Sequence, residues 1–190
     1  NPQIQQQDLT LMDKTAITII ADVSGSMSGN SLRQMQGALI AFINQLPEQH
    51  YINIIAFDDS HYKLFTMAEP ATKSIKQLAL KFVRDMEADN GTKMLPPIYE
   101  AILEKPPMLM KPQIALMTDG QINYEKEIMT LVNEHIGDKR FHVVGIGRDP
   151  NSLLVKGIAK AGRGSYLYVD GNFKDKINEL LFKINRPVLE

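Results

Sequence analysis

Cysteine is absent from the 190 residues. A disulfide framework, thiolate catalysis and a cysteine zinc site are therefore excluded. The redox setting stays open, because a cysteine-free chain suits the cytosol and the outside of the cell equally. Excess charge of one sign is also missing: 21 Lys and Arg face 22 Asp and Glu, for a formal net charge of -1 with no long block of either sign. No nucleic acid or anionic membrane is expected as a partner. No apolar run approaches the ~20 residues needed to span a bilayer, so no direct membrane insertion is expected, and the opening "NPQIQQQ" lacks the order of a signal peptide. Repeats and low-complexity tracts are lacking too. What remains, 44% hydrophobic and 23% charged residues, is the composition of one domain large enough to bury a real core.

Short β-branched runs alternate with amphipathic stretches. Strands are predicted at "TAITIIA" (15–21), "YINIIAF" (51–57), "HYKLFT" (61–66), "QIALMT" (113–118), "FHVVGI" (141–146) and "SYLYV" (165–169). Helical spacing marks 31–46, where Leu32, Met35, Leu39, Phe42, Ile43 and Leu46 recur, and 73–87, where Ile75, Leu78, Phe82 and Met86 recur. Further helices are predicted at 96–104, 124–136, 151–161 and 172–184, with Pro96 and Pro97 suited to a first turn. Strands separated by helices require crossover connections, and these build an α/β, doubly wound, mostly parallel sheet with helices on both faces. The short link "DDS" (58–60) suits a hairpin, which makes "HYKLFT" one antiparallel edge strand. Residues 1–14 read as an N-terminal linker or extension, and 15–190 as the domain.

The chemistry gathers where such a sheet places its sites, outside the carboxyl ends of the strands. In "ADVSGSMSGN" (21–30), Asp22, Ser24 and Ser26 occupy alternate positions directly after an apolar run, so in extended chain their oxygens share one side. Ser28, Gly29 and Asn30 then supply helix-start residues. "MTDG" (117–120) sets Asp119 after another strand, with Gly120 permitting a sharp turn. "DNGTKM" (89–94) offers Thr92 just before a helix. Each alone is explained by capping a helix or ending a strand. Together they form an oxygen-only set, which suits Mg²⁺, Mn²⁺ or Ca²⁺.

In this order, "DVSGS", "NGT" and "TDG" strongly resemble the metal-ion-dependent adhesion site of the von Willebrand factor type A domain, and the likeness covers about the whole chain. It implies that Asp22, Ser24, Ser26, Thr92 and Asp119 are the metal-site residues. Ser24 and Ser26 would ligate directly, and Thr92 directly or through water according to conformational state. The resemblance also implies a cell-surface or secreted setting. Asn90 departs from the pattern by standing where many members have glycine, which bears on the path of that loop. A narrower likeness, in "AKAGRGSYLYV" and "LLFKINRPVLE", is to the type A domains of inter-alpha-trypsin inhibitor heavy chains and their bacterial relatives.

Serine and threonine hydroxyls are neutral ligands, so the ion they hold keeps more of its charge than three carboxylates would leave it. An open coordination position then favours an acidic side chain from a protein partner. The expected function is a divalent-metal-dependent protein-binding module with no catalytic residue. A metal-dependent hydrolase or phosphotransferase is the alternative, and a module with an empty, degenerate site is a third. "GSMSG" fails as a serine-hydrolase elbow because Met27 stands in the middle. "GIG" (145–147) lacks the third glycine of a dinucleotide fingerprint, and its glycines fit close packing or a tight exit. His50, His61, His135 and His142 carry no motif and are expected to be structural or surface residues. Asp59, His61, Lys93 and Tyr124 are the expected rim.

Overall fold

The computed structural model describes residues 14–107, 110–171 and 173–185. The expected N-terminal extension therefore lies outside the described residues except for Lys14. Seven strands form one sheet: β1 (Thr15–Asp22), β2 (Tyr51–Phe57), β3 (His61–Lys63), β4 (Glu69–Pro70), β5 (Lys111–Thr118), β6 (Arg140–Ile146) and β7 (Arg163–Val169). Their order is β3-β2-β1-β5-β6-β7, with β4 also paired to β2. All pairs from β2 across to β7 are parallel, and β3 and β4 both run antiparallel to β2.

The antiparallel edge is broken into two pieces where one strand was expected. Asn53 explains the break. Its side-chain amide donates to the Phe65 carbonyl and accepts from the Phe65 N–H. Those are backbone groups that a continuous ladder would have paired. The chain leaves the sheet there and rejoins it at Glu69, opposite Ile52.

Among the described residues six helices cover the two faces. On one side lie α1 (Asn30–Gln45), α2 (Lys73–Arg84) and α6 (Phe173–Asn185); on the other lie α3 (Leu95–Leu103), α4 (Glu125–His135) and α5 (Ser152–Ala161). Strand periodicity divides the core accordingly. Ile17, Ile19 and Ala21 of β1 pack with the α1, α2 and α6 face, and Ile20 packs with the other. Burial on both faces is why β1, β5 and β6 read as nearly continuous apolar runs. Met35 and Met86 are buried in the core, as their helical spacing predicted. Helix α2 stops three residues before the predicted end. Gln36 of α1 donates its amide to the Val83 carbonyl in the last turn and to the Met86 carbonyl just beyond it, tying this helix end to α1.

Helices α1 and α6 meet at Gly37, where an added Cβ would stand 2.9 Å from the ring of Phe173. At the opposite end of α6 the Ile184 carbonyl accepts from the Gln113 side chain of β5 at 2.6 Å. Among the described residues no helix is long and apolar enough to cross a membrane.

Candidate metal centre

The chain leaves β1 toward β2 on one side and later returns through β5 on the other. A switch of direction opens a crevice at the carboxyl ends of the two strands. Asp22 is the last residue of β1, and Asp119 directly follows β5.

Asp22 has no exposed surface. Its Oδ1 accepts the Ser24 N–H at 2.9 Å and the Ser24 hydroxyl at 2.6 Å, and its Oδ2 accepts the Thr118 hydroxyl at 2.5 Å. Burial is the main influence on this carboxyl and lifts its pKa above the usual aspartate value. Hydrogen bonds from Ser24 and Thr118 act in the opposite sense, while the negative charge of Asp119 adds to the rise. Two carboxylates thus converge where water is scarce, an arrangement that a positive charge would stabilise.

The serines converge by a different route from the extended alternation expected, because Ser26 lies in a 3-10 turn beyond the end of β1. Ser24 is buried and Ser26 exposed, yet their hydroxyl oxygens stand only 3.3 Å apart. Adjacent ligands on a Mg²⁺ with ~2.1 Å bonds lie roughly 3 Å apart, so the spacing fits one small cation touching both. After Ser24 the chain enters a short 3-10 turn, Gly25–Met27, and then α1. The expected helix-start chemistry takes a different form here. Gly29, at φ 78°, precedes α1 with no side-chain cap, and it is the Ser28 N–H that bonds back, to the Gly25 carbonyl.

Thr92 arrives by way of its loop. The Asn90 carbonyl accepts from Gly25 N–H at 3.0 Å, Asp89 N–H donates to Val23 O at 3.0 Å, and Lys93 N–H donates to Asp58 O at 2.8 Å. These bonds tie the Thr92 loop to the ends of β1 and β2. Asn90 carries φ 62°, the left-handed conformation that asparagine tolerates better than most side chains. The departure from glycine therefore keeps a backbone of the glycine type. The Asn90 side chain adds a bond to Asp58 Oδ2 at 2.9 Å.

On the β5 side, the Asp119 carboxylate accepts from Gln121 N–H at 3.1 Å. Gly120 has φ 70°, and an added Cβ would meet Asn151 at 2.8 Å. The turn thus needs glycine on two counts. Asp22, Ser24 and Ser26 are linked by hydrogen bonds, the charge of Asp119 acts on Asp22, and backbone bonds hold the Thr92 loop to the ends of β1 and β2. Among the described residues no three of His, Cys, Asp and Glu form a metal-sized group.

Sequence reasoning missed three supporting residues. Thr118, fully buried, donates to Asp22 and accepts the Gly120 N–H at 2.8 Å. Its signal was its place at the head of "TDG". Asp58 organises the β2 end, and its position closing an apolar run marked it. Asn151 caps α5 and donates to Gly120 O, a long-range contact with no local signal. Of the expected rim, Asp59 and Lys93 are exposed, and His61 is bonded to Glu100 at 2.6 Å. Tyr124 donates its hydroxyl to Thr92 O at 2.6 Å and accepts from Met94 N–H at 3.0 Å. His50 and His142 are buried and hydrogen-bonded in the structure.

The sequence profile described as "von Willebrand factor type A domain" matches residues 15–168. A von Willebrand factor A domain-containing protein of Dictyostelium discoideum is 31% identical over 180 residues, covering 93% of this chain and 20% of its own length. The chain thus spans about a fifth of such relatives. Among solved structures, a von Willebrand factor type A protein from Catenulispora acidiphila superposes with a TM-score of 0.77 at 19% identity, over 91% of this chain and 43% of that one. The manganese-loaded TRAP protein of Plasmodium vivax does so with a TM-score of 0.71 at 20% identity, over 93% and 75%.

Proposed function

This chain belongs to the von Willebrand factor type A family, and from that premise we propose that it is a divalent-cation-dependent protein-binding module. Asp22, Ser24, Ser26, Thr92 and Asp119 hold one Mg²⁺ or Mn²⁺, or else Ca²⁺. The observation that carries the reading is the pair of hydroxyl oxygens 3.3 Å apart beside a buried aspartate. A set of hard oxygens with two carboxylates fits such an ion. When bound, the cation supplies an electrophilic point for a carboxylate of a protein partner.

The residues themselves do the positioning. Asp22, held by Ser24 and Thr118, fixes the orientation of the first loop, and the uncharged hydroxyls contribute oxygen without neutralising charge. The Asp58–Asn90 contact and the Tyr124 hydroxyl hold the Thr92 loop against the other two. We assign no catalytic role to any residue. A cell-surface or secreted setting suits such a module and is part of the proposal, as is the narrower likeness to inter-alpha-trypsin inhibitor heavy chains.

Isothermal titration with Mg²⁺ and Mn²⁺ tests the reading. The wild-type chain binds one cation, and Asp119→Ala lowers the affinity by at least about tenfold, since loss of even an outer-shell partner has that effect. Equal binding by wild type and variant overturns the assignment. With a partner in hand, chelator abolishes binding and added Mg²⁺ or Mn²⁺ restores it. Converting the partner's critical acid to its amide removes it.

A further inference from the structure

The Thr92 loop has a second side. Beyond Thr92 the chain turns directly into α3, and Thr92, Lys93, Met94, Leu95 and Pro96 form, with the ring of Tyr124, an open notch of about 310 Å³. Its shape is fixed from beneath, because the Tyr124 hydroxyl is bonded both to Thr92 O and to Met94 N–H. Met94 is fully buried, Leu95 half-buried and Pro96 exposed. With its hydroxyl engaged, Tyr124 offers the notch only ring carbon. The walls are otherwise Thr92, Met94, Leu95 and Pro96, with the exposed Lys93 beside them. On the far side of Tyr124 a separate hollow of about 440 Å³ is lined by Gln121, Ile122 and Asn123 as well as Thr92.

We propose that this notch receives an apolar side chain from the same partner segment whose carboxylate completes the cation. The recognition element is then a pair, Asp or Glu with a Leu-sized residue two positions away in extended chain. The inference rests on the proposed metal-dependent reading. One segment suffices because Thr92 belongs both to the ligand set and to the notch wall. In extended chain, residues i and i+2 project to the same side about 7 Å apart. The occupant is apolar because the notch is walled mainly by the carbon of Met94, Leu95, Pro96 and Tyr124, which offers little to replace the water that a polar side chain would lose on entry. Lys93 beside the notch and the cation both favour an acidic segment and disfavour a basic one.

The experiment uses the whole chain and three synthetic peptides: acetyl-Gly-Asp-Gly-Leu-Gly-amide, its Leu-to-Ala counterpart and its Asp-to-Asn counterpart. Affinities are read by NMR titration in Mg²⁺ and again in excess chelator. In Mg²⁺ the Asp–Leu peptide binds about tenfold tighter than the Asp–Ala peptide, the order expected for one partly buried Leu side chain. The Asn peptide does not bind, and chelator abolishes all binding. Pro96→Gln, a polar change at an exposed first-turn position, brings the Leu and Ala peptides to the same affinity. Equal affinity of those two peptides for the wild type, both still metal-dependent, overturns the notch and leaves the metal reading standing. Binding that persists in chelator overturns the metal reading itself. Absence of binding by the Asp–Leu peptide at millimolar concentration overturns the pairing.

Discussion

Acidification is expected to weaken this domain through one histidine. His142 is buried on β6, where its Nε2 is 2.5 Å from Gln113 Oε1 and its Nδ1 accepts the Ser165 N–H at 3.1 Å. Gln113 must offer its oxygen to the imidazole because its amide nitrogen donates to Ile184 O. The neutral ring with hydrogen on Nε2 satisfies every group, whereas a second proton on Nδ1 would face another donor. Burial, followed by the positive charges of Arg140 and Lys183, lowers the His142 pKa to about 4 from 6.5.

The unfolded chain therefore binds the proton first as pH falls, and stability is complete above pH 6.5 and drains away toward pH 4. At about 1.4 kcal/mol per pH unit, the full gap is worth roughly 3.5 kcal/mol, of which about 2.5 kcal/mol is gone by pH 4.5. That is a substantial part of the ~5–15 kcal/mol that holds a typical domain together. The raised pKa of Asp22 works the other way, since its folded form takes up a proton more readily than its unfolded form. A variant separates the two. His142→Gln can keep a donor toward Gln113 and an acceptor toward Ser165 yet cannot titrate. Urea unfolding of both proteins between pH 7 and 4.5 should show the wild type losing about 2.5 kcal/mol more than the variant. Parallel losses over that range would refute the argument, as would an NMR titration placing the His142 pKa near its ordinary value.

Two further outcomes concern the candidate centre and its surroundings. Thr118→Val removes the hydroxyl that holds Asp22 Oδ2 and accepts the Gly120 N–H. It should lower the stability of the metal-free chain by about 1–3 kcal/mol in urea, and an unchanged midpoint would show that this buried bond contributes nothing. Leu181→Ala, on the half-buried side of α6, should cost about 1–2 kcal/mol of stability, less than a full core truncation. If α6 is coupled to the metal site, the variant also shifts Mn²⁺ affinity measured by titration, because coupling acts in both directions. Unchanged Mn²⁺ affinity beside a lowered stability would show that α6 and the site are not coupled.

The sequence by itself determined the alternation of strand and helix, the two-faced sheet and the positions of the five proposed ligands. These are local properties. Period two and period 3.6 are written into neighbouring residues, whereas Ser24 and Ser26 meet through the 3-10 turn Gly25–Met27 and not through the extended spacing expected of them. Even the tolerance of Asn90 for its left-handed backbone is a property of one residue type.

What only the tertiary structure decided depends on residues far apart in the chain. The edge strand broke in two because Asn53 meets Phe65, and the end of α2 is tied to another helix through Gln36. Thr118 became the partner of Asp22 only when β5 was laid beside β1. The notch beside Thr92 exists because Tyr124, 32 positions further along, bonds the loop from below. Such contacts carry no periodic signal, since a hydrogen bond between distant side chains is set by packing and not by spacing in sequence.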